Sequence, residues 1–197
     1  MEVDDTAIHL DDVELVVAAL ERGEPVIIPT DTVYGIGADP TRPDAMRQLF
    51  ELKERPDGVP IAVLVASVEQ ARSLVEWSEE LEALAIEHWP GALTLVGPSI
   101  TDELHLGSID TIGLRVSDHK LVQACAERFG PIATTSANRH GDPTIIDPRE
   151  LESTFGDRVG VVIDGGILNG TASTVVDITT SPPTVLRQGA IRLENPE

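Results

Sequence analysis

Residues 11–28 read DDVELVVAALERGEPVII, and this stretch places a helical pattern directly before a β-rich run. The apolar residues between 13 and 20 recur at the spacing of one helix face, and Asp11 or Asp12 can cap that helix at its start. Residues 25–28 then predict a strand. A helix followed at once by a buried strand is the repeating unit of a layered α/β fold.

Helical and β-rich patterns alternate in this way along the rest of the chain, so we expect an α/β domain. Strands near the end of the chain follow one another without a long helix between them, which favours a mixed sheet over a parallel one. A length of 197 residues indicates a single domain spanning 1–197. Further helices are expected at 41–53, from 67, at 78–88, at 118–129 and from 147, and further strands at 61–65, 92–96, 111–116, 131–134, 159–163, 173–178 and 184–187.

Acidic residues dominate the charge of the chain. There are 14 Lys plus Arg and 34 Asp plus Glu, so the formal charge is 14 − 34 = −20. Such a charge repels phosphate backbones at long range, which disfavours generic binding to nucleic acid or to anionic membranes. Because salt would screen the self-repulsion, we hypothesise a salt-adapted, halophilic host. An ordinary acidic cytosolic protein is the alternative.

Other features of the sequence narrow the class of protein further. The longest apolar runs, such as 61–66, are far shorter than the ~20 residues that span a bilayer. The start, MEVDD, lacks the basic and apolar regions of a secretory signal, so we expect a cytoplasmic protein. With Cys125 as its one cysteine, the chain has no disulfide or cysteine metal cluster, and Cys125 itself is expected to be a buried apolar residue. The five histidines show no metal-ligand spacing, so no protein-held metal site is predicted.

The segment PTDTVYGIG at 29–37 is the first candidate for a binding site. Its polar side chains follow the strand at 25–28, and ligands of layered α/β folds bind on loops beyond strand ends. Its two glycines permit a close backbone approach. A glycine turn in which Thr and Asp bond local amides is the structural alternative. The segment has neither the Gly-Lys-Ser/Thr of a P-loop nor a dinucleotide fingerprint.

Two cations, Lys53 and Arg55, come at the end of the predicted helix 41–53 and precede Pro56. Because Pro56 favours extended geometry for the residue before it, both cations can turn to one ligand. Complementing the helix dipole is the more ordinary role of such residues. Scarcity favours the ligand interpretation, since the 14 cations comprise 12 Arg and only two Lys, the other being Lys120.

Hydroxyls and two arginines supply the remaining candidates. Residues 134–138 offer three hydroxyls and an amide that suit ribose, phosphate or carboxylate oxygens, with a hydrogen-bonded turn as the alternative. Ser136 lacks the Gly-x-Ser-x-Gly context of a hydrolase nucleophile. Arg115 and Arg187 are candidates for carboxylate or phosphate contacts, and structural ion pairs explain them equally well. The pattern indicates a small cationic, hydroxyl-rich site for an anionic small molecule.

These segments resemble the YrdC family of threonylcarbamoyl-AMP synthases, from Pro29 to about Ile191. Each motif is weak alone, but eight in the family's order are hard to obtain by chance. The resemblance implies a twisted mixed sheet with flanking helices around a deep cavity, in the family's short single-domain form. The motifs are PTDTVYGIGAD at 29–39, LKERPDGVPIAVLV at 52–65, HWPGALTLV at 88–96, GLRVSDH at 113–119, PIATTSANRHGDPT at 131–144, DGG at 164–166, STVVD at 173–177 and VLRQGAI at 185–191.

The resemblance also implies a reaction, in which L-threonine, bicarbonate and ATP give threonylcarbamoyl-adenylate and pyrophosphate. Mg²⁺ would accompany the nucleotide, and the adenylate would pass to a complex that transfers the threonylcarbamoyl group to tRNA. Such a site must hold three anionic reactants together and exclude water. Direct binding of nucleic acid is expected to be weak or absent.

Roles for individual residues follow from the same resemblance. Lys53 and Arg55 would act as catalytic residues that stabilise charge on the phosphates and the carbamate. Arg115 would fork onto the carboxylate of threonine. The ATP-binding residues would be Arg55, Ser136, Asn138 and Arg187, and the threonine-binding residues Thr32, Arg115, Thr135 and Ser173.

Three positions depart from the family's pattern. Val59 stands where the family often has a polar residue, which removes a possible nucleotide contact. Leu64 stands where some members carry a histidine on the threonine side, and His140 replaces a common serine. None of the three changes falls on Lys53, Arg55, Ser136 or Asn138, so we expect activity.

Two other functions compete with the synthase. A carbamoyl-adenylate-forming module occurs in hydrogenase-maturation proteins, but alongside zinc-finger and acylphosphatase-like parts for which this chain has no room. A non-catalytic factor that binds double-stranded RNA or tRNA, or assists ribosome maturation, would need a basic face. The sequence contains no Lys/Arg-rich run to make one.

Overall fold

A computed structural model describes residues 10–54, 61–107 and 110–193, so Arg55 and Val59 lie outside the described residues. The helices are α1 Leu10–Glu21, α2 Pro43–Lys53, α3 Val68–Arg72, α4 Glu79–His88, α5 Lys120–Phe129 and α6 Pro148–Phe155, with a 3₁₀ turn at Gly156–Arg158. The strands are β1 Val26–Ile28, β2 Gly35–Ala38, β3 Ala62–Leu64, β4 Leu93–Pro98, β5 Thr111–Arg115, β6 Ile132–Ser136, β7 Val161–Val162, β8 Thr174–Asp177 and β9 Thr184–Arg187.

The described strands form one nine-stranded sheet in the order β7-β1-β2-β6-β3-β5-β4-β8-β9. Three neighbouring pairs are parallel, namely β1 with β7, β3 with β5 and β4 with β8. The other five pairs are antiparallel. The predicted α/β class and mixed sheet are therefore confirmed. Within the described ranges, no helix is both long and apolar enough to cross a membrane.

Helices cover the sheet on both faces. Along β1, Ile27 packs into a core with α2, α4 and α6, whereas Val26 and Ile28 pack into a second core with α1 and α5. This is the alternation expected of a strand buried on both sides. The second core also includes Ile132 of β6 and Leu64 of β3. The face that carries α1 and α5 continues across β4, β5 and β8, where small and polar residues replace the apolar ones and the cavity described below begins.

Strand β2 is the element that the sequence analysis missed. The two glycines of 29–37 lie in this strand, so interpreting the segment as a glycine loop is wrong for its second half. A Cβ on Gly35 would come within 2.7 Å of the Thr134 methyl carbon, and one on Gly37 within 3.0 Å of an Ile132 methyl carbon. Glycine is thus required at both positions because side chains of the neighbouring strand β6 occupy the space that a Cβ would need. Since glycines in sequence usually indicate a turn, the strand was not predicted.

Candidate active site

A cavity of about 460 Å³ opens on the sheet face that continues beyond α1 and α5. Its floor consists of alternate strand residues, because side chains two positions apart share a face. Glycine, alanine and hydroxyl residues predominate there, so the floor is low and rich in hydrogen-bonding groups. The floor residues are Ala62 and Leu64 of β3, Thr94 and Val96 of β4, Thr111, Gly113 and Arg115 of β5, Thr134 and Ser136 of β6, and Val175 and Asp177 of β8.

The turn at residues 30–34 forms one wall of the cavity and is held by its own hydroxyls. Thr30 Oγ1 donates to the carbonyl oxygen of Val33 at 2.7 Å and accepts from the backbone N–H of Thr32 at 3.1 Å. The hydroxyls of Thr30 and Thr32 lie 3.0 Å apart, and both residues are buried. The single proton of Thr30 is directed to Val33, so the Thr32 hydroxyl keeps its own proton for Thr30 or for a ligand.

Arg115 is buried at the end of β5 and is held from three directions. Its Nε donates to the Gly91 carbonyl at 2.9 Å, Nη1 to Thr32 Oγ1 at 3.0 Å and Nη2 to Asp31 Oδ1 at 2.6 Å. Asp31 Oδ1 also accepts a hydrogen bond from Ser117. The structural ion-pair interpretation of Arg115 is therefore correct, with Asp31 as the partner.

The ion pair leaves Arg115 able to bind a ligand as well. A guanidinium has five N–H donors, and the three contacts above leave one donor on each terminal nitrogen. Two such donors are what a carboxylate needs for bidentate binding. Burial raises the pKa of the Asp31 carboxyl, but the Arg115 charge and the hydrogen bonds from Ser117 and Arg115 outweigh it, so the pKa is lowered overall. Asp31 thus stays ionised and keeps Arg115 oriented.

Arg187 lies on the edge strand β9 and also lines the cavity. Its Nε and Nη2 donate to the Ser173 carbonyl at 3.2 and 2.8 Å, and Nη2 is 3.2 Å from Ser173 Oγ. Ser173 Oγ in turn lies 2.9 Å from Thr94 Oγ1. Among the described residues no carboxylate pairs with Arg187. Burial and, secondly, the charge of Arg115 lower the pKa of Arg187.

Lys53 ends α2 and is buried, with 2% of the residue exposed. Its Nζ donates to the Ser136 carbonyl at 2.6 Å and to Asn138 Oδ1 at 2.9 Å. Asn138 Oδ1 also accepts from Ser136 Oγ at 2.6 Å. Lys53, Ser136 and Asn138, which the sequence analysis grouped by resemblance, therefore form one hydrogen-bonded cluster. In this structure the Lys53 ammonium orders that cluster beside the cavity, while Ser136 itself lines the cavity.

The turn after α2 fastens Lys53 to the same cluster. Glu54 has a left-handed backbone with φ of 49°, which ends the helix immediately after Lys53. The backbone N–H of His140 donates to the Lys53 carbonyl at 2.7 Å, and Arg139 pairs with the Glu54 carboxylate at 3.2 Å. His140, a departure from the family's pattern, thus contributes here through its backbone. The expected convergence of Arg55 with Lys53 falls outside the described residues.

The remaining expected threonine-binding residues also gather at the cavity. Thr32, Thr135 and Ser173 line it together with Arg115 and Arg187. Leu64 lines it as well, so that departure places an apolar side chain in the cavity floor. Strand β6 continues through Thr135 to Ser136, two residues beyond its predicted end at Thr134, because the hydroxyl run continues the strand instead of forming a turn.

Tyr34 and Asp31 are residues that sequence reasoning passed over. The Tyr34 hydroxyl donates to the Gly166 carbonyl and accepts from the Gly165 N–H, both at 2.8 Å. It thereby fastens residues 164–166 to the cavity wall, and burial raises its pKa to about 12. The rarity of aromatic residues, 3% of the chain with Tyr34 as its one tyrosine, was the sequence feature that could have drawn attention to Tyr34. Nothing in the sequence marked Asp31 as the partner of Arg115.

The described residues contain no group of three or more His, Cys, Asp or Glu that could hold a metal ion. Cys125 is buried in α5, and burial raises the pKa of its thiol to about 12. Its predicted role as a small buried apolar residue is confirmed.

Comparison with known proteins adds to this geometry. Residues 18–189 match the family model Sua5_yciO_yrdC, whose description is "Telomere recombination". A protein of Pyrococcus abyssi named threonylcarbamoyl-AMP synthase is 38% identical over 183 residues, which cover 90% of this chain and 54% of that protein. One of the same name from Vibrio parahaemolyticus is 37% identical over 188 residues, covering 91% of this chain and 100% of the relative.

A solved structure resembles the fold closely. The crystal structure of P. abyssi Sua5 complexed with L-threonine superposes with a TM-score of 0.87 at 35% identity, covering 93% of this chain and 55% of that one. The chain thus spans about half the length of the archaeal relative and the whole length of the Vibrio relative.

Proposed function

This chain belongs to the Sua5/YciO/YrdC family, and from that premise we propose that it is a threonylcarbamoyl-AMP synthase. The reaction joins L-threonine, bicarbonate and ATP into threonylcarbamoyl-AMP and releases pyrophosphate. The observation that carries the proposal is the pair of arginines in one cavity, Arg115 oriented by Asp31 and Arg187 without a carboxylate partner. Two separate cations suit a reaction in which a small carboxylate and a polyphosphate meet.

The Arg115 end of the cavity suits threonine. Its two remaining N–H donors can take the carboxylate, and the neighbouring Thr32 hydroxyl can bond the substrate as donor or acceptor. Ser173 and Thr135 add hydroxyls to the same cavity. The complex of the P. abyssi relative with L-threonine supports threonine as a ligand of this fold.

The Arg187 end, with the cluster of Lys53, Ser136 and Asn138, suits the nucleotide. Arg187 supplies a charge that no carboxylate of the described residues neutralises, as a polyphosphate requires. We assign Ser136 and Asn138 to ATP, and Lys53 with Arg55 to the phosphates and the carbamate. The hydrogen bonds of Lys53 to the Ser136 carbonyl and to Asn138 Oδ1 support a role in positioning these two residues as well.

The chemistry needs orientation and charge stabilisation more than a nucleophilic side chain. The threonine amine attacks bicarbonate, water leaves, and a carbamate forms. A carbamate oxygen then attacks the α-phosphate of ATP, and the bond to the pyrophosphate oxygen breaks. Fixed cations stabilise the charge that develops on the phosphate oxygens, and the cavity holds the reactants in position for each attack.

Mg²⁺ belongs to the proposal as a partner of the nucleotide. Magnesium is usually held by phosphates, water and one or two carboxylates. The described residues include no group of acidic side chains that could hold a metal by themselves, so Mg²⁺ would be held by the ATP phosphates and water, with the hydroxyl of Ser136 in the cavity lining beside them. Bound there, Mg²⁺ would neutralise phosphate charge.

The product implies a downstream partner. An acyl-adenylate of this kind is consumed by transfer of the acyl group, which we assign to a tRNA threonylcarbamoyl-transfer complex. The protein would then work in the cytoplasm, where ATP and tRNA are present, and cell fractionation would test that location. Its own affinity for tRNA is proposed to be weak or absent, and a gel shift with tRNA across salt concentrations tests this.

Pyrophosphate release tests the proposed function. Protein incubated with ATP, bicarbonate and L-threonine should release pyrophosphate when all three are present and fall to background when any one is left out. Release that does not depend on threonine, or no release, would reject the proposal. Replacing L-threonine by D-threonine controls for non-specific stimulation.

A further inference from the structure

One acidic residue, Asp177 at the end of β8, appears among the described residues that line the cavity. Its Oδ1 accepts hydrogen bonds from the backbone N–H and the hydroxyl of Thr179, at 2.8 and 2.7 Å. Within the described part of the chain, its Oδ2 makes no hydrogen bond or ion pair. The turn at Thr179 therefore accounts for one oxygen and leaves the other as a free acceptor on the cavity floor.

The sheet register locates that acceptor relative to Arg187. Val175, two residues before Asp177 on the same face, pairs with Arg187. Two residues along a strand span about 7 Å. The Arg187 guanidinium extends from that pair towards Ser173, four residues or about 13 Å before Asp177, a span that a phosphate on Arg187 and its attached ribose can fill together.

The same register separates Asp177 from the threonine end. Arg115 lies on β5, and β4 runs between β5 and β8, so two strand spacings of about 10 Å in total intervene. The ammonium and the carboxylate of an amino acid are attached to the same carbon. With the carboxylate on Arg115, the ammonium cannot reach Asp177, which excludes that role for the free oxygen.

The floor beside Asp177 has room for a ring. Asp177 pairs with Val96, and Val96 pairs with Gly113. A Cβ on Gly113 would already approach the Thr94 methyl carbon at 3.3 Å. The absence of a side chain at Gly113 therefore leaves open space above the sheet beside Val96 and Asp177. A sugar ring can lie over Gly113 and Val96 with its hydroxyls directed at Asp177.

We propose that Asp177 accepts a hydrogen bond from a ribose hydroxyl and thereby selects ribonucleotides over deoxyribonucleotides. Carboxylates accept ribose hydroxyls in this way in other nucleotide sites. A site built around an acceptor discriminates against an analogue that lacks the hydroxyl, because the acceptor is then left unpaired. The inference rests on the proposed function, since it requires a nucleotide with its phosphates towards Arg187.

The test compares kcat/KM for ATP with those for 2′-deoxy-ATP and 3′-deoxy-ATP, in the wild type and in Asp177→Asn. The wild type is expected to prefer ATP about tenfold over at least one deoxy analogue. In Asp177→Asn that preference should fall towards one, while KM for threonine stays unchanged. Loss of a negative charge affects ATP and its deoxy forms equally, so the ratio isolates the hydroxyl contact.

A control variant separates recognition from turn stability. Thr179→Ala removes one bond to Asp177 Oδ1 and leaves Oδ2 untouched, so it should lower the melting temperature and keep the preference for ATP. Asn retains an acceptor for Thr179, and thermal melting checks that Asp177→Asn is folded. If it is not, Asp177→Glu, which keeps the charge and moves it by one methylene, is expected to lower the same ratio.

A wild type indifferent to the deoxy analogues would overturn the inference, and so would an Asp177→Asn variant that keeps the preference. A change in the KM for threonine in place of the nucleotide ratio would do the same. Failure of the wild type to release pyrophosphate from ATP, bicarbonate and threonine is a separate result, which rejects the proposed function itself.

Discussion

Two arginines face one cavity and are held in contrasting ways. Arg115 is buried, makes three hydrogen bonds to protein and is paired with Asp31. Arg187 lies on an edge strand, contacts Ser173 and has no carboxylate partner in the described residues. The guanidinium of Arg115 is therefore fixed in orientation and its charge is neutralised by Asp31, whereas no carboxylate of the described residues neutralises the charge of Arg187. A balanced, oriented guanidinium suits a carboxylate of fixed geometry, whereas an unbalanced one suits a polyanion.

The largest effect is expected from Arg115→Lys. Lysine keeps the charge but cannot contact Gly91, Thr32 and Asp31 together, and it offers no planar fork to a carboxylate. KM for threonine should rise about 100-fold, the order expected for losing a bidentate charge-assisted pair, with a smaller change in KM for ATP. Steady-state pyrophosphate release measures both constants.

Arg42→Lys is the matched control, because Arg42 forms an exposed pair with Asp44 at 2.8 Å. It should leave both KM values unchanged. An Arg115→Lys enzyme with wild-type KM for threonine would remove Arg115 from the threonine site.

Arg187→Gln should give the next effect, an increase of about tenfold in KM for ATP. Glutamine can still donate to the Ser173 carbonyl, so the main loss is the charge offered to phosphate. KM for threonine should change less. If threonine binding weakens more than ATP binding, the assignment of the two arginines to the two substrates is reversed.

Asp31→Asn tests how much the ion pair between Asp31 and Arg115 contributes to the stability of the fold. The pKa of Asp31 is lower in the folded state than in the unfolded state, where it is about 4. The ionised carboxylate therefore contributes its full share to the free energy of unfolding above about pH 4, and that share is lost as the pH falls through the pKa of the folded state. Urea unfolding near pH 7 should show a loss of about 1 kcal/mol, and this difference should shrink below pH 4.

Asp44→Asn provides the comparison for that experiment. Its pKa is also lowered, to about 2, but the pair with Arg42 is exposed to solvent, so a much smaller change in stability is expected. Equal losses in the two variants would mean that the Asp31–Arg115 pair contributes no more than a surface ion pair.

The smallest effect is expected from KCl on the melting of the whole chain. Screening of the −20 charge should raise the melting temperature by a few degrees, as the salt-adaptation hypothesis requires. A circular-dichroism titration with complete folding at low salt and no gain from KCl would favour an ordinary acidic protein.

Short-range patterns predicted the fold well. Every helix and strand proposed from periodicity and capping is present, because those signals depend on neighbouring residues. Strand β2 is present but was not predicted. It contains Gly35 and Gly37, which are required there by side chains of β6 about 100 residues away. Such a constraint leaves no local trace, and glycines in sequence ordinarily indicate a turn.

Most members of the candidate site could be predicted from the sequence, but the contacts between them could not. Thr32, Arg115, Ser173 and Arg187 were recognised as candidates and do line one cavity. The pairing of Arg115 with Asp31 spans 84 residues, and the Lys53 contact with Ser136 spans 83, so neither could be inferred without the fold. That Lys53 orders the Ser136–Asn138 cluster is likewise a property of the folded chain.

A co-crystal structure with L-threonine and ATP would show which substrate each arginine binds. We predict the threonine carboxylate on the free donors of Arg115, opposite Asp31, and the polyphosphate between Arg187 and the Lys53 cluster. A threonine carboxylate on Arg187, or a phosphate seated on Arg115, would contradict this prediction.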